Sequence, residues 1–219
     1  MHIALLGDST LDNKVYTGGA PSVTENLNDL LPNGSRASLV AVDGAQVRDI
    51  PYQLDTCPPE ATHIVLSVGG NDAAMDIGLL SQSAHTVGEA LSVLHEATER
   101  FDAAYRGALR DVVATGLPVT VCAVYNGNFP DEISGVASQA IGASQAIVST
   151  ALRLWNDRII QAALDHRCPI VDLRRVCTEP SDFTRQIEPS AQGGRTIAEA
   201  LFRSLTEPDV FFDDMGPCR

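Results

Sequence analysis

Short runs rich in Val, Ile, Leu and Ala alternate along the chain with longer stretches whose apolar residues recur every three or four positions. The runs Ile3 to Leu6, Ser38 to Val42, His63 to Val68, Pro118 to Val124 and Pro169 to Leu173 have the length and near-continuous apolar character of strands buried on both faces. The longer stretches predict helices. One follows Pro21 through Val23, Leu27 and Leu30; a short one lies near Val47 to Leu54; a long one runs from Val87 through Phe101 to Val112. Another passes through Ile147, Leu152, Trp155, Ile159 and Leu164, and a last one, starting near Gly194, carries Ile197, Ala198, Leu201 and Leu205. Such alternation is the sequence form of a parallel sheet with helices on both faces, a three-layer α/β/α sandwich around a five-stranded parallel sheet.

In sheets of this kind ligands bind at the carboxyl ends of the strands. Three successive strand ends carry suitable groups: Ser9 in Gly7-Asp8-Ser9, Gly44 after Asp43, and Asn71 in Gly69-Gly70-Asn71-Asp72. A hydroxyl, a bare backbone amide and a side-chain amide make a nucleophile with donors for an oxyanion. Each has a plainer reading as well. Ser9 has the look of a helix N-cap, Gly44 of a turn glycine, and Asn71 of a residue bracing its own loop. Asp8 suits backbone bonding within the turn, and Asp72 suits pinning a loop.

The order Gly-Asp-Ser, a lone Gly, then Gly-x-Asn-Asp resembles the SGNH hydrolases, the GDSL esterase and lipase superfamily. The resemblance implies a flavodoxin-like sandwich in which Ser9 attacks an ester or thioester carbonyl. The Ser9 amide, the Gly44 amide and the Asn71 side chain would then bind the oxyanion.

The resemblance breaks at its last element. The family closes with Asp-x-x-His before the final helix, whereas here Arg185-Gln186-Ile187-Glu188 is followed by Pro189 and Ser190. Glu188 takes the place of the base histidine and Arg185 that of its orienting aspartate. Glu188 has three readings: a carboxylate base whose pKa burial must raise, an acidic group at the start of the last helix, or the mark of a pocket without turnover. Arg185 either pairs with Glu188 and weakens it as a base, or points away and receives a substrate carboxylate or phosphate. Among the histidines, His2, His63 and His166 fall at the wrong ends of strands and His95 within the long helix; His85 is the least remote substitute. Tyr125 and Asp172, near other strand ends, are within reach of the pocket, but packing and loop bracing are the readings favoured for both.

Composition narrows the partners. A formal charge of −13 over 219 residues argues against nucleic acid and anionic membrane surfaces. No apolar stretch reaches the length of a membrane span. The start Met1-His2-Ile3 lacks a basic region followed by a long apolar one, and the five cysteines fall in no metal-like spacing. These features predict a reduced, cytoplasmic protein without cofactor or metal.

Residues 1–206 read as a single domain, and 207–219 as an acidic tail with Phe211 and Phe212, a segment for docking on the body or on a second subunit of a homo-oligomer. Asn126 to Pro130 begins a loop over the same crevice as Ser9, and Gly135 to Ser149 reads as a helix start of low complexity rather than a lid. The expected function is hydrolysis of a small ester or thioester through an acyl-enzyme at Ser9. The alternatives are a non-catalytic binding or regulatory protein on the same scaffold, and an acyltransferase.

Overall fold

A computed structural model describes residues 1–129 and 144–207. The predicted tail from 208 onward, and the 135–149 segment as far as residue 143, lie outside the described residues. Strands β1 (His2–Gly7), β2 (Arg36–Leu39), β3 (His63–Ser67), β4 (Val119–Ala123) and β5 (Ile170–Asp172) form one sheet in the order β2-β1-β3-β4-β5. Every neighbouring pair is parallel.

The alternating side chains of β1 show how the layers form. Ile3 and Leu5 pack with Val23, Leu27, Ile197 and Leu201, and so face α1 (Val23–Leu30) and a final helix. Ala4 and Leu6 face the opposite way, toward Ile50, Phe101, Tyr105, Trp155 and Ile159. That second layer comprises α2 (Ile50–Asp55), α4 (Val87–Val113) and α5 (Gln145–Asp165). A short α3 (Gly70–Met75) follows β3, and the final helix is α6 (Ala191–Thr206). Burying a leucine or isoleucine fully contributes roughly 1.5–3 kcal/mol, and β1 is buried on both faces along its whole length.

Three details depart from the sequence reading. β2 ends at Leu39, because Val40 and Ala41 both donate to the Leu5 carbonyl, at 2.9 and 2.7 Å, which breaks the ladder before the chain reaches Gly44. α6 begins at Ala191 rather than near Gly194, since Ser190 Oγ caps it by accepting from Gly193 N at 3.2 Å. A two-stranded antiparallel hairpin, β6 (Phe183–Thr184) and β7 (Glu188–Pro189), precedes that cap; strands of two residues leave no periodicity to detect.

Two buried side-chain amides fix strand ends on the crevice side of the sheet. Gln53 accepts from Gly7 N at 2.7 Å and donates to Gly7 O at 2.8 Å. Asn156 does the same at Val124, just past β4, at 2.7 and 2.8 Å. Gly7 has φ +141°, and a Cβ there would run into the Ser67 carbonyl, so the chain leaves β1 along a path only glycine takes without strain. Among the described residues no helix is long and apolar enough to cross a membrane.

Candidate active site

The turn after β1 is organised by Asp8. Its carbonyl accepts from Leu11 N and Asp12 N, each at 3.0 Å, and its Oδ1 accepts from Thr10 N at 3.0 Å. Ser9 N–H has no partner among the described residues, and the Ser9 side chain sits at the surface of the crevice with 8% exposure. Asp12 Oδ2 accepts from Asp43 N at 3.0 Å, which ties this turn to the next.

Gly44 occupies a turn closed by Ala45 N donating to Val42 O at 3.0 Å. Its φ is +80°, it is exposed, and its N–H likewise has no partner among the described residues. Asn71, in the first turn of α3, donates one amide hydrogen to Ala45 O at 2.9 Å, which leaves its second hydrogen for a ligand. Asp72 Oδ2 accepts from Val47 N at 3.1 Å, so its pinning role reaches across to the neighbouring turn. Asn71 thus braces the Gly44 turn and keeps a donor to spare.

Glu188 stands beside Ser9. The Ser9 hydroxyl is near enough to favour the charged carboxylate, although no hydrogen bond of ordinary length and angle closes between them. Glu188 Oε2 is buried without a partner among the described residues. Burial dominates, with a push from Asp43, and the Glu188 pKa lies above the ordinary glutamate value despite the opposing pull of Ser9 and Arg185. A carboxylate in this state is a stronger base than one in water.

Four contacts hold this carboxylate in place. Within the hairpin Glu188 pairs with Thr184. Asn13 Nδ2 donates to Pro189 O at 3.2 Å; Tyr125 Oη donates to Ile187 O at 2.6 Å; Asn128 N donates to Gln186 O at 2.7 Å. The hairpin turn is strained, since Arg185 and Gln186 have φ of +48° and +73° without being glycine. A left-handed non-glycine residue costs about 1–2 kcal/mol, and these contacts offset it.

Arg185 does not ion-pair with Glu188. Its guanidinium lies over the ring of Tyr16, 5.5 Å from the centroid, while Tyr16 Oη donates to Asp43 Oδ2 at 2.7 Å. None of the five histidines lines the crevice at Ser9. His85, the least remote by sequence, is 92% exposed beside Glu89. Asp172 is likewise committed elsewhere, in a bidentate pair with Arg174 at 2.7 Å for each bond.

Ser9 and Asn71 open onto a cavity of about 110 Å³ whose lining includes the buried Asp8 and Tyr125 and a wall of Ala73, Ile77, Leu80, Leu152 and Trp155. Tyr125 lines the pocket as well as bracing the Ile187 carbonyl, the role favoured for it from sequence, and Asn126, Gly127 and Phe129 of the following loop line it too, over the crevice as predicted. The contributions of α3 and of the 3-10 turn Ile77–Ser81 were not legible from periodicity, for each spans fewer than seven residues. Asp8 is a second titratable neighbour: burial lifts its pKa to about 7, reinforced by Glu188 and Asp72 against the Thr10 hydrogen bonds. No group of three or more His, Cys, Asp or Glu among the described residues is arranged to hold a metal.

The family model of GDSL-like lipases and acylhydrolases matches residues 3–215. The chain belongs to that family, and at that level it is a hydrolase of ester substrates. Among solved structures it is similar to an extracellular lipase from Streptomyces rimosus, with TM-score 0.66 and 16% identity, over 92% of this chain and 98% of the other. It is also similar to a phospholipase A1 from Streptomyces albidoflavus, with TM-score 0.64 and 17% identity, over 91% and 97%. A third is the acetylxylan esterase Axe2 from Geobacillus stearothermophilus, with TM-score 0.65 and 13% identity, over 94% of each chain. No curated protein matches in sequence. At these identities the structural likeness concerns the fold.

Proposed function

We propose that the protein hydrolyses esters of short, apolar acyl groups through an acyl-enzyme at Ser9, with Glu188 as the base. The observation that carries this reading is the Ser9 hydroxyl lying beside a carboxylate that burial has made more basic, at the mouth of an apolar cavity. Glu188 takes the hydroxyl proton as Ser9 Oγ bonds to the carbonyl carbon, then delivers it to the departing alkoxide as the tetrahedral intermediate collapses. Water enters, loses a proton to Glu188, and attacks the acyl-enzyme; the proton returns to Ser9 as the acid leaves.

The Ser9 and Gly44 amides and the second Asn71 hydrogen receive the oxyanion, and none of the three has to break an internal bond to do so. The acyl chain enters the space between α3 and α5. At about 110 Å³ it is smaller than the ~150 Å³ apolar cavity that admits benzene, which favours acetyl to butyryl chains.

The paired departures at 185 and 188 make chemical sense together. An orienting aspartate fixes the tautomer of a histidine, and a carboxylate base has no tautomer. A second carboxylate at 185 would only repel the first.

The test is labelling with a small fluorophosphonate followed by peptide mass spectrometry, beside Ser9→Ala and Glu188→Gln. An adduct at Ser9 that Glu188→Gln slows supports the reading. Failure of probes of every size to label Ser9 between pH 5 and 9 would favour a binding scaffold. Binding of an ester without turnover would do the same.

A further inference from the structure

We infer that the substrate's leaving group carries an anionic oxygen cluster, a carboxylate or a phosphate, which Arg185 receives at the rim of the site. The inference rests on the hydrolase reading above and concerns the half of the substrate that the apolar cavity does not hold.

The base must reach the departing oxygen in order to protonate it, so the leaving group passes along the Glu188 side of Ser9 while the acyl chain occupies the cavity. The next surface on that side is the hairpin turn that carries Glu188 itself. Arg185 begins this turn; it is exposed, its guanidinium lies 5.5 Å from the Tyr16 ring centroid, and its charge is felt at Glu188.

Arg185 is held in place with some care. Its backbone is in the left-handed region, and the adjacent Gln186 carbonyl is fixed by Asn128 N at 2.7 Å. The guanidinium lies over the Tyr16 ring, and Tyr16 is anchored through its hydroxyl to Asp43, next to Gly44. A guanidinium held over a ring and without a carboxylate partner has N–H donors left to offer, and their planar fork matches a carboxylate or phosphate.

Among the described residues, no carboxylate forms an ion pair with Arg185, although the chain carries 28 acidic residues, Arg158 and Arg174 are each engaged by one and Arg106 by two. The overall negative charge slows the arrival of anions at long range, but salt screens that effect within about 10 Å. A bound anion meets the guanidinium first. As Glu188 takes up the Ser9 proton, one of the two nearby carboxylates that would repel the anion becomes neutral, while the other, Asp43, accepts a hydrogen bond from Tyr16.

The test separates this inference from the hydrolase reading. Calorimetric titration compares 4-nitrophenol with 5-hydroxy-2-nitrobenzoate, the leaving groups of a neutral and a carboxylated aryl butyrate, and 4-hydroxyphenyl phosphate is run beside them to compare the two oxyanions. An anionic phenol should bind about tenfold more tightly than 4-nitrophenol, as expected of a fork-like charge-assisted contact. The preference should fall to near unity in Arg185→Gln, survive in part in Arg185→Lys, and shrink with added salt. The ratio of kcat/KM for the two butyrates should follow the same order. Equal binding of anionic and neutral phenols, or a preference that Arg185→Gln leaves intact, overturns the inference. Discrimination between the phenols that needs Arg185, without turnover of either ester, supports the anion site while removing the hydrolase reading.

Discussion

Asn13 and Pro189 lie 176 positions apart and are joined by a hydrogen bond of 3.2 Å from the Asn13 amide to the Pro189 carbonyl. Asn13 is fully buried, and its amide oxygen accepts from Val23 N at 2.8 Å. One side chain thus links the loop that leaves Ser9, the first turn of α1 and the strand that carries Glu188. Asn13→Ala leaves a buried N–H and a buried carbonyl without partners, at a cost of about 1–3 kcal/mol for each group. The expected result is a Tm lower by roughly 5 to 15 °C, with a fall in kcat per folded molecule as Glu188 loses its fixed position. Thermal unfolding beside ester kinetics checks both, and unchanged kcat in folded protein would leave Asn13 a purely structural role.

Glu188→Gln removes the carboxylate and keeps its size. Turnover should drop by about 100-fold to 10,000-fold, the range for a lost general base, with KM little altered. The pH profile of the natural protein should rise as Glu188 loses its proton, with a midpoint above the ordinary glutamate value because burial raises it. Removing the guanidinium in Arg185→Gln should move that midpoint further up, since Arg185 favours the charged form. Glu188→His alone should not restore activity, because Arg185 has only donors and cannot accept the orienting bond from an imidazole N–H.

Burial pushes the Asp8 pKa up to about 7 in the folded protein, whereas an aspartate in the unfolded chain has a pKa of about 3.9. Between those values the folded state holds the extra proton, so stability falls as pH rises through that window. Asp8→Asn keeps an acceptor for Thr10 N and abolishes the titration. The variant should therefore gain on the natural protein by several degrees of Tm between pH 4 and pH 8. Parallel curves for the two proteins over that range would show that Asp8 does not titrate there.

Asn71→Ala takes away the donor proposed for the oxyanion and the brace on Ala45. A loss of roughly 100-fold to 1000-fold in kcat is expected for such a donor. Asn71→Asp keeps the shape but presents an acceptor, and should do no better. Single-turnover acylation rates are the measurement. A loss confined to KM would assign Asn71 to ground-state binding.

Much of this site was open to reading because its groups sit at strand ends. Apolar runs gave the strands, and the residues two to four positions past them, Ser9 and Asn71, fall on the crevice edge by topology alone. Gly44 was reached in spite of a misread boundary, since the irregular step at Val40 and Ala41 lengthens β2 in sequence without lengthening its ladder. The environment of Glu188 was not legible. It depends on a hairpin whose strands are two residues each, and on contacts from Asn13, Tyr125 and Asn128, all distant in sequence. Whether Arg185 would pair with Glu188 or turn aside was decided by Tyr16, a ring about 170 positions earlier that no local pattern connects to it.

The carboxylate beside Ser9 changes the electrostatic character of acyl transfer. A neutral imidazole that gains a proton becomes a cation facing a new oxyanion, so charge is separated. In the mechanism proposed above, Glu188 becomes neutral as the oxyanion forms, so a single negative charge migrates from one side of Ser9 to the other. Its start is a carboxylate partly stripped of water, and its end is a set of N–H groups with no other bond to give up. In a site of this kind the energy of the step is set by how unequal those two ends are. Desolvation of the base and vacancy of the donors push the same charge in the same direction.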